Sequence, residues 1–198
     1  ELVSHAKGVL HGTLTVAGTS AHASRPWEGV SANDRAISLL SNLRKLYRQP
    51  KTKSWTAITM NVGVLNGGSS INQVPDTCVI KLDFRYPQRN DDKSILSAIK
   101  KLLGRKDSLS VFHADAFTTD VRNPNIRKFL SISQKIIHRK IPVIKEYGAS
   151  DARYFSVHKV PCVVLKPDCG GEHADSEWIN LEGIMNYSKI IHSFLTDL

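Results

Sequence analysis

The sequence predicts a mixed α/β chain in two parts: an α+β unit of order β-α-β-β-α-β, then a shorter, incomplete α/β segment. Strand-period alternation recurs through the first 115 residues, and helix-period stripes interrupt it at the two places that order requires. The remaining residues offer only two short apolar strands and two helices, too little to cover a sheet on both faces.

The elements follow in order. Leu10, Leu14 and Val16 alternate with His11, Thr13 and Thr15, the period of a half-buried strand. After a Gly/Ser/Pro-bearing loop, a helix from Val30 to Tyr47 places Ala36, Ile37, Leu40, Leu43 and Tyr47 on one stripe, and Pro50 ends it. Ile58, Met60, Val62 and Val64 alternate up to Gly67-Gly68. Cys78, Ile80, Leu82 and Phe84 then face opposite to Val79, Lys81, Asp83 and Arg85. Asn90 or Asp91 can cap a helix bearing Ile95, Leu96, Ile99, Leu102 and Leu103, and Leu109 and Val111 sit in a last strand. This is the ferredoxin-like split arrangement, with two helices on one face of a sheet whose other face is open.

In the second part, Asn123-Pro124 opens a helix with Ile126, Phe129, Leu130 and Ile137 on one face. Short strands are expected at Val143–Ile144 and Cys162–Leu165, then a closing helix from about Leu181 to Leu195. Such strands require neighbours from elsewhere. The chain opens on Glu1 with a strand pattern running by Val9, so we expect a piece of a longer protein. The expected divisions are a connector over residues 1–8, the α+β domain over 9–116 and part of a larger α/β domain over 117–198.

Composition narrows the function. At 41% hydrophobic and 23% charged residues the chain is globular rather than disordered, and its longest apolar runs fall well short of a membrane helix. The net charge of +9 is uneven, with 23 basic and 11 acidic residues in 1–150 against 4 and 7 in 151–198. Six basic residues and no acid lie between Arg35 and Lys53, a solvated helix face or an anion-steering surface. No aromatic RNA-binding signature accompanies them, so neither nucleic acid nor membrane is the expected partner. Cys78, Cys162 and Cys169 form no Cys-x-x-Cys pair and are odd in number, which fits a reducing, cytoplasmic setting.

Four loops concentrate reactive residues: Gly18–Gly29, Gly67–Asp76, Gly148–Tyr154 and Gly170–Trp178. His22, among small residues, can approach a ligand or simply cap its own loop. The second loop also reads as an ordinary hairpin turn. Gly148-Ala149-Ser150-Asp151-Ala152 is close to a serine-hydrolase elbow, with Asp168 and His173 following in the right order, but the large sheet that holds such an elbow is missing. Cys162, Cys169 and His173 match no structural zinc spacing.

Jointly, the segments resemble the zinc-dependent aminoacylase and carboxypeptidase family of succinyl-diaminopimelate desuccinylase, acetylornithine deacetylase and glutamate carboxypeptidase. The matching text is Ser20-Ala21-His22-Ala23-Ser24-Arg25-Pro26, Asn72-Gln73-Val74-Pro75-Asp76, Asp83-Phe84-Arg85, Ser150-Asp151-Ala152-Arg153 and Glu172-His173-Ala174-Asp175-Ser176-Glu177. It spans the whole chain but only the C-terminal half of such an enzyme, in which a ferredoxin-like lid that also dimerises is inserted into a catalytic α/β domain.

The resemblance implies a role for each position. His22 would stabilise the tetrahedral oxyanion in the partner subunit's site. Asn72 would bind substrate, and Arg85 and Arg153 would grip a substrate carboxylate. An exposed structural ion pair is the competing reading of Arg85. His173 would be a zinc ligand with Glu172 or Asp175 behind it, in a two-zinc centre where cobalt or manganese could substitute. The substrate would be an N-acyl amino acid or peptide and the assembly a homodimer. The remaining metal ligands and the general base are absent from this chain, so by itself it is expected to be inert. The reading from another class is a non-catalytic binding or dimerisation module with a ferredoxin-like fold.

Overall fold

The computed structural model describes residues 1–171 and 174–197. In chain order the elements are β1 Leu2–Ala6, β2 Gly8–Ala17, β3 Ala21–His22, α1 Ala32–Leu46, β4 Thr59–Gly67, β5 Gln73–Val74, β6 Thr77–Tyr86, α2 Asp91–Leu102, β7 Ser108–Ala114, β8 Phe117–Thr118, α3 Pro124–Ile137, β9 Val143–Glu146, α4 Arg153–Ser156, β10 Val164–Leu165, β11 Cys169–Gly170, β12 Trp178–Ile179 and α5 Leu181–Thr196. They fall into two compact units, residues 7–116 and residues 1–6 with 117–198.

The unit of residues 7–116 is a four-stranded antiparallel sheet of order β4-β6-β2-β7 carrying α1 and α2. The two central strands pair in unbroken register from Gly8↔Tyr86 to Ala17↔Thr77. Leu10, Leu14 and Val16 of β2 and Cys78, Ile80, Leu82 and Phe84 of β6 are buried, as their alternation predicts, against Ala32, Ala36, Leu39, Leu40 and Leu43 of α1 and Ile95 and Ile99 of α2. This is the β-α-β-β-α-β fold expected.

Two local expectations change. Ile37 was placed on the buried stripe of α1, but it is 58% exposed and Leu39 is buried instead. The buried arc runs through residues 32, 36, 39, 40 and 43, and residue 37 lies about 100° round the helix from residue 36. At α2 neither Asn90 nor Asp91 supplies the expected cap. Asn90 occupies the N-cap position with φ of 79° and makes no side-chain capping bond, while the Asp91 carboxylate turns back to accept from the Gln88 N–H.

The other unit has β1 at the centre of its sheet. It pairs antiparallel with β8 and β10 and parallel with β9, and Leu2, Val3 and Ala6 are buried. Residues 1–8, expected to be a connector, therefore contain the strand that the later short strands need as a neighbour. The buried Ser4 hydroxyl donates to the Ile144 carbonyl at 3.0 Å, which satisfies the polar group this placement costs. α3 packs on α5, with Phe129 and Phe194 edge to face at 5.2 Å between ring centroids. Its Asn123-Pro124 start is as read, with the Asn123 side chain accepting from the Asn125 N–H. α5 buries Ile190 alone, and Leu181, Ile184, Met185, Ile191 and Leu195 remain exposed.

Candidate functional site

The residues of interest cluster where two loops cross at one end of the β4-β6-β2-β7 sheet. The chain leaves β2 at Gly18, whose N–H donates to the Asp76 carbonyl at 2.7 Å. Thr19 and Val30 exchange backbone bonds at 2.8 and 2.9 Å, and the Ala32 N–H reaches the Pro75 carbonyl at 2.8 Å. Three backbone segments thus converge on Gly18. A Cβ there would lie 2.3 Å from the Val30 oxygen and 2.8 Å from both Ala32 N and the Pro75 oxygen, so only glycine fits.

The crossing is braced from below. Arg35 of α1 forks onto Asp107, with Nη1–Oδ1 at 3.0 Å and Nη2–Oδ2 at 2.7 Å, and Nη1 also donates to the Ala17 carbonyl. The Asp107 carboxylate is fully enclosed and further accepts from the N–H groups of Ala17 and Gly104. Burial alone would raise its pKa, but those two N–H groups and the Arg35 guanidinium outweigh burial and hold it below the usual carboxylate range. Arg35 therefore leaves the basic run in which the sequence placed it, while Arg44 and Lys45 of the same helix, and Arg48 just beyond it, stay exposed.

Above the crossing, β3 pairs with β5, aligning His22 with Gln73 and Ala21 with Val74, and the Ala23 N–H donates to the Asn72 carbonyl at 2.9 Å. His22 and Asn72 are thus brought onto neighbouring rungs, and both are exposed. The Ser24 N–H donates to His22 Nδ1 at 3.2 Å, and Ser24 Oγ lies 2.8 Å from the same nitrogen. Ser70 Oγ donates to Asn72 Oδ1 at 2.5 Å. Ser20 donates to Asp76 at 2.8 Å and accepts from Gln73 at 3.2 Å, tying the two loops together by side chains as well. Two large apolar residues flank the pair, Trp27 at 77% exposure and Ile71 fully exposed. Their prominence, the Ser24 contact and the Arg35–Asp107 brace were not read from the sequence; the His-x-Ser spacing was the one available signal.

Arg85 is not brought to His22. It pairs with Val9 near the far end of β6, eight residues from Thr77, about 26 Å along the strand. Its Nε and Nη2 fork onto the Asp83 carboxylate at 2.8 and 2.9 Å, beside His11 at 3.5 Å. In the other unit, Arg153 donates to Asp151 at 2.9 Å, the Ser150 carbonyl at 3.1 Å and the Tyr154 hydroxyl at 3.0 Å. Both guanidinium groups already hold a carboxylate. Ser150 accepts from the Ala152 N–H at 3.3 Å and lacks the positive φ found at Asn90, His138 and Lys159, so it does not form a strained nucleophile elbow.

His173, expected as a zinc ligand, lies outside the described residues together with Glu172. Among the described residues no three His, Cys, Asp or Glu side chains stand close enough to hold a metal ion, so those residues do not constitute a zinc centre by themselves. Among them, too, no helix is long and apolar enough to cross a membrane.

Residues 4–109 match a family model described as a peptidase dimerisation domain. Succinyl-diaminopimelate desuccinylase 1 of Alteromonas mediterranea is 23% identical, with 97% of this chain and 52% of that protein covered. The succinyl-diaminopimelate desuccinylase of Marinobacter nauticus is 24% identical with the same coverage. The structure of a tripeptidase from Staphylococcus aureus superposes with a TM-score of 0.81 at 21% identity, covering 98% of this chain and 52% of that one. An M20 family metallo-carboxypeptidase from Sulfolobus solfataricus gives 0.77 at 17% identity, covering 98% and 59%. The chain spans about half the length of the curated relatives it matches.

Proposed function

The chain belongs to the M20 peptidase dimerisation domain family, and from that premise we propose that it is the lid and adjoining catalytic portion of a metal-dependent hydrolase. The bond cleaved is an N-acyl or peptide amide next to a carboxylate. The observation that carries the proposal is the pairing of the His22 and Asn72 loops at one end of a family-matching lid, with both side chains exposed. A histidine presented this way is a hydrogen-bond donor for charge that develops on a carbonyl oxygen in the transition state. Arg85 and Arg153 are assigned to a substrate carboxylate, whose place Asp83 and Asp151 hold in their present ion pairs. Zinc, when bound, would supply Lewis acidity and an activated water, with His173 as this chain's ligand. The other ligands and the base belong to the half of the relatives that this chain does not cover, so the chain alone is inactive.

The lid is assigned as a homodimerisation surface on which His22 serves the partner's site. The support is steric and topological. His22 sits beyond the Thr77 end of β6 and Arg85 near its other end, too far apart to meet one substrate. Trp27 and Ile71 are exposed near His22 as apolar anchors suited to a second copy, and β4 is an edge strand that carries the exposed Val64 and Leu65. The exposed apolar face of α5 is where we place the remainder of the catalytic domain. Three free thiols suit a cytoplasmic setting.

The test is an assay of the gene's complete product with zinc against N-acyl amino acids and short peptides that end in a free carboxylate. Metal-dependent release of the acyl or aminoacyl group is expected. A complete product that binds zinc and cleaves none of them would favour the non-catalytic dimerisation module instead.

A further inference from the structure

Of the two contacts that Ser24 makes with His22, the backbone one restricts where the imidazole can carry its proton. A backbone N–H can only donate, and the Ser24 N–H points at Nδ1 from 3.2 Å. Nδ1 must therefore present its lone pair, and the single proton of the neutral ring then resides on Nε2. The Ser24 hydroxyl, 2.8 Å from the same nitrogen, can donate to that lone pair as well. A proton on Nδ1 could be accepted by that hydroxyl, but it would confront the Ser24 N–H and leave that donor without its acceptor. The ring is exposed and no other hydrogen bond of its nitrogens is found among the described residues, so Ser24 is what sets the choice.

From this we propose that Ser24 is a positioning residue that holds His22 as its Nε2–H tautomer, so that the outward nitrogen is a donor and the inward one an acceptor. The consequence for the site rests on the assignment of His22 as an oxyanion donor. A donor at Nε2 favours a ligand oxygen carrying negative charge and excludes a ligand whose only polar group there is itself a donor. It also makes the neutral ring competent, since Nε2 already carries the proton the interaction uses. His22 then works as a fixed dipole and need not hand a proton over.

Two-bond ¹H–¹⁵N spectra of the chain with labelled histidine, recorded about two units above the ordinary imidazole pKa of about 6.5, read the tautomer directly. The expected result is a protonated Nε2 and an unprotonated, hydrogen-bonded Nδ1 at His22. Ser24→Ala keeps the backbone donor and removes the hydroxyl, so the Nε2–H tautomer should persist while the Nδ1 resonance shifts toward that of an acceptor with one donor fewer. Ser24→Thr should restore the original spectrum. A His22 protonated at Nδ1 in the unmodified chain overturns the proposal, and so does a Ser24→Ala spectrum in which Nδ1–H becomes the major form. Neither readout depends on turnover, so failure of the hydrolase assignment, seen as an inactive complete product, remains separately visible.

Discussion

Replacing His22 with alanine in the complete enzyme is expected to lower kcat by about 10² to 10³, the usual loss when one preorganised oxyanion donor is removed. KM should change little and zinc content not at all, because His22 lies in the lid, on loops that contribute no metal ligand. The loss should appear in kcat and kcat/KM alike, the signature of an interaction made in the transition state rather than with bound substrate. Turnover within about twofold of the unmodified enzyme would remove His22 from the chemistry and leave the crossing of its loop with the 68–76 loop as architecture alone.

Asp107→Asn carries the largest expected effect on stability. The enclosed carboxylate accepts from two backbone N–H groups and both arms of Arg35, and the amide can reproduce neither the charge nor the full set of acceptors. Breaking a buried pair from one side costs about 3 kcal/mol, which lowers the melting temperature of a unit this size by about 10 to 20 °C. The pH dependence has a definite sign. The folded pKa lies below the unfolded value of about 3.9, so the pair's contribution is complete above that value and is lost as pH falls through the folded pKa. Calorimetry of the chain should show a large gap between the two proteins at pH 7 that closes on acidification below about pH 4. A gap of the same size throughout would mean that the charge of Asp107 is not what holds Ala17 and Gly104 together.

The lid was legible because its periodicities are long and mutually consistent. β6 alternates along its ten residues and β2 from Leu10 onward, and the two strands pair in unbroken register. Where legibility failed, the cause was a partner distant in sequence. Leu2–Ala6 is too short to announce itself, and it is a strand because residues 117–118, 143–146 and 164–165 supply its neighbours. Arg35 looked like one more solvated cation until Asp107 arrived from 72 positions away. Lys7 is almost wholly buried, donating to the Ala57 carbonyl at 2.6 Å with its ammonium pKa lowered by burial, and nothing in its local sequence marks it for the interior. The site follows the same rule. His22 and Asn72 were each identifiable within their segments, but only the crossing at Gly18 shows that the segments meet, and only the folded loop places the Ser24 N–H against Nδ1.

Mixing two inactive variants of the complete enzyme tests whether this lid, in a dimeric hydrolase, delivers His22 to its partner's site. A His22→Ala subunit retains its own metal ligands, and a His173→Ala subunit retains its His22. If the residues act in the same site from different subunits, random exchange makes half of the dimers mixed. Each mixed dimer then holds one intact site, restoring about a quarter of the unmodified activity. Mixed dimers that form but show no activity would place His22 and His173 in one subunit's site, or outside catalysis altogether, and would rule out delivery of His22 across the dimer.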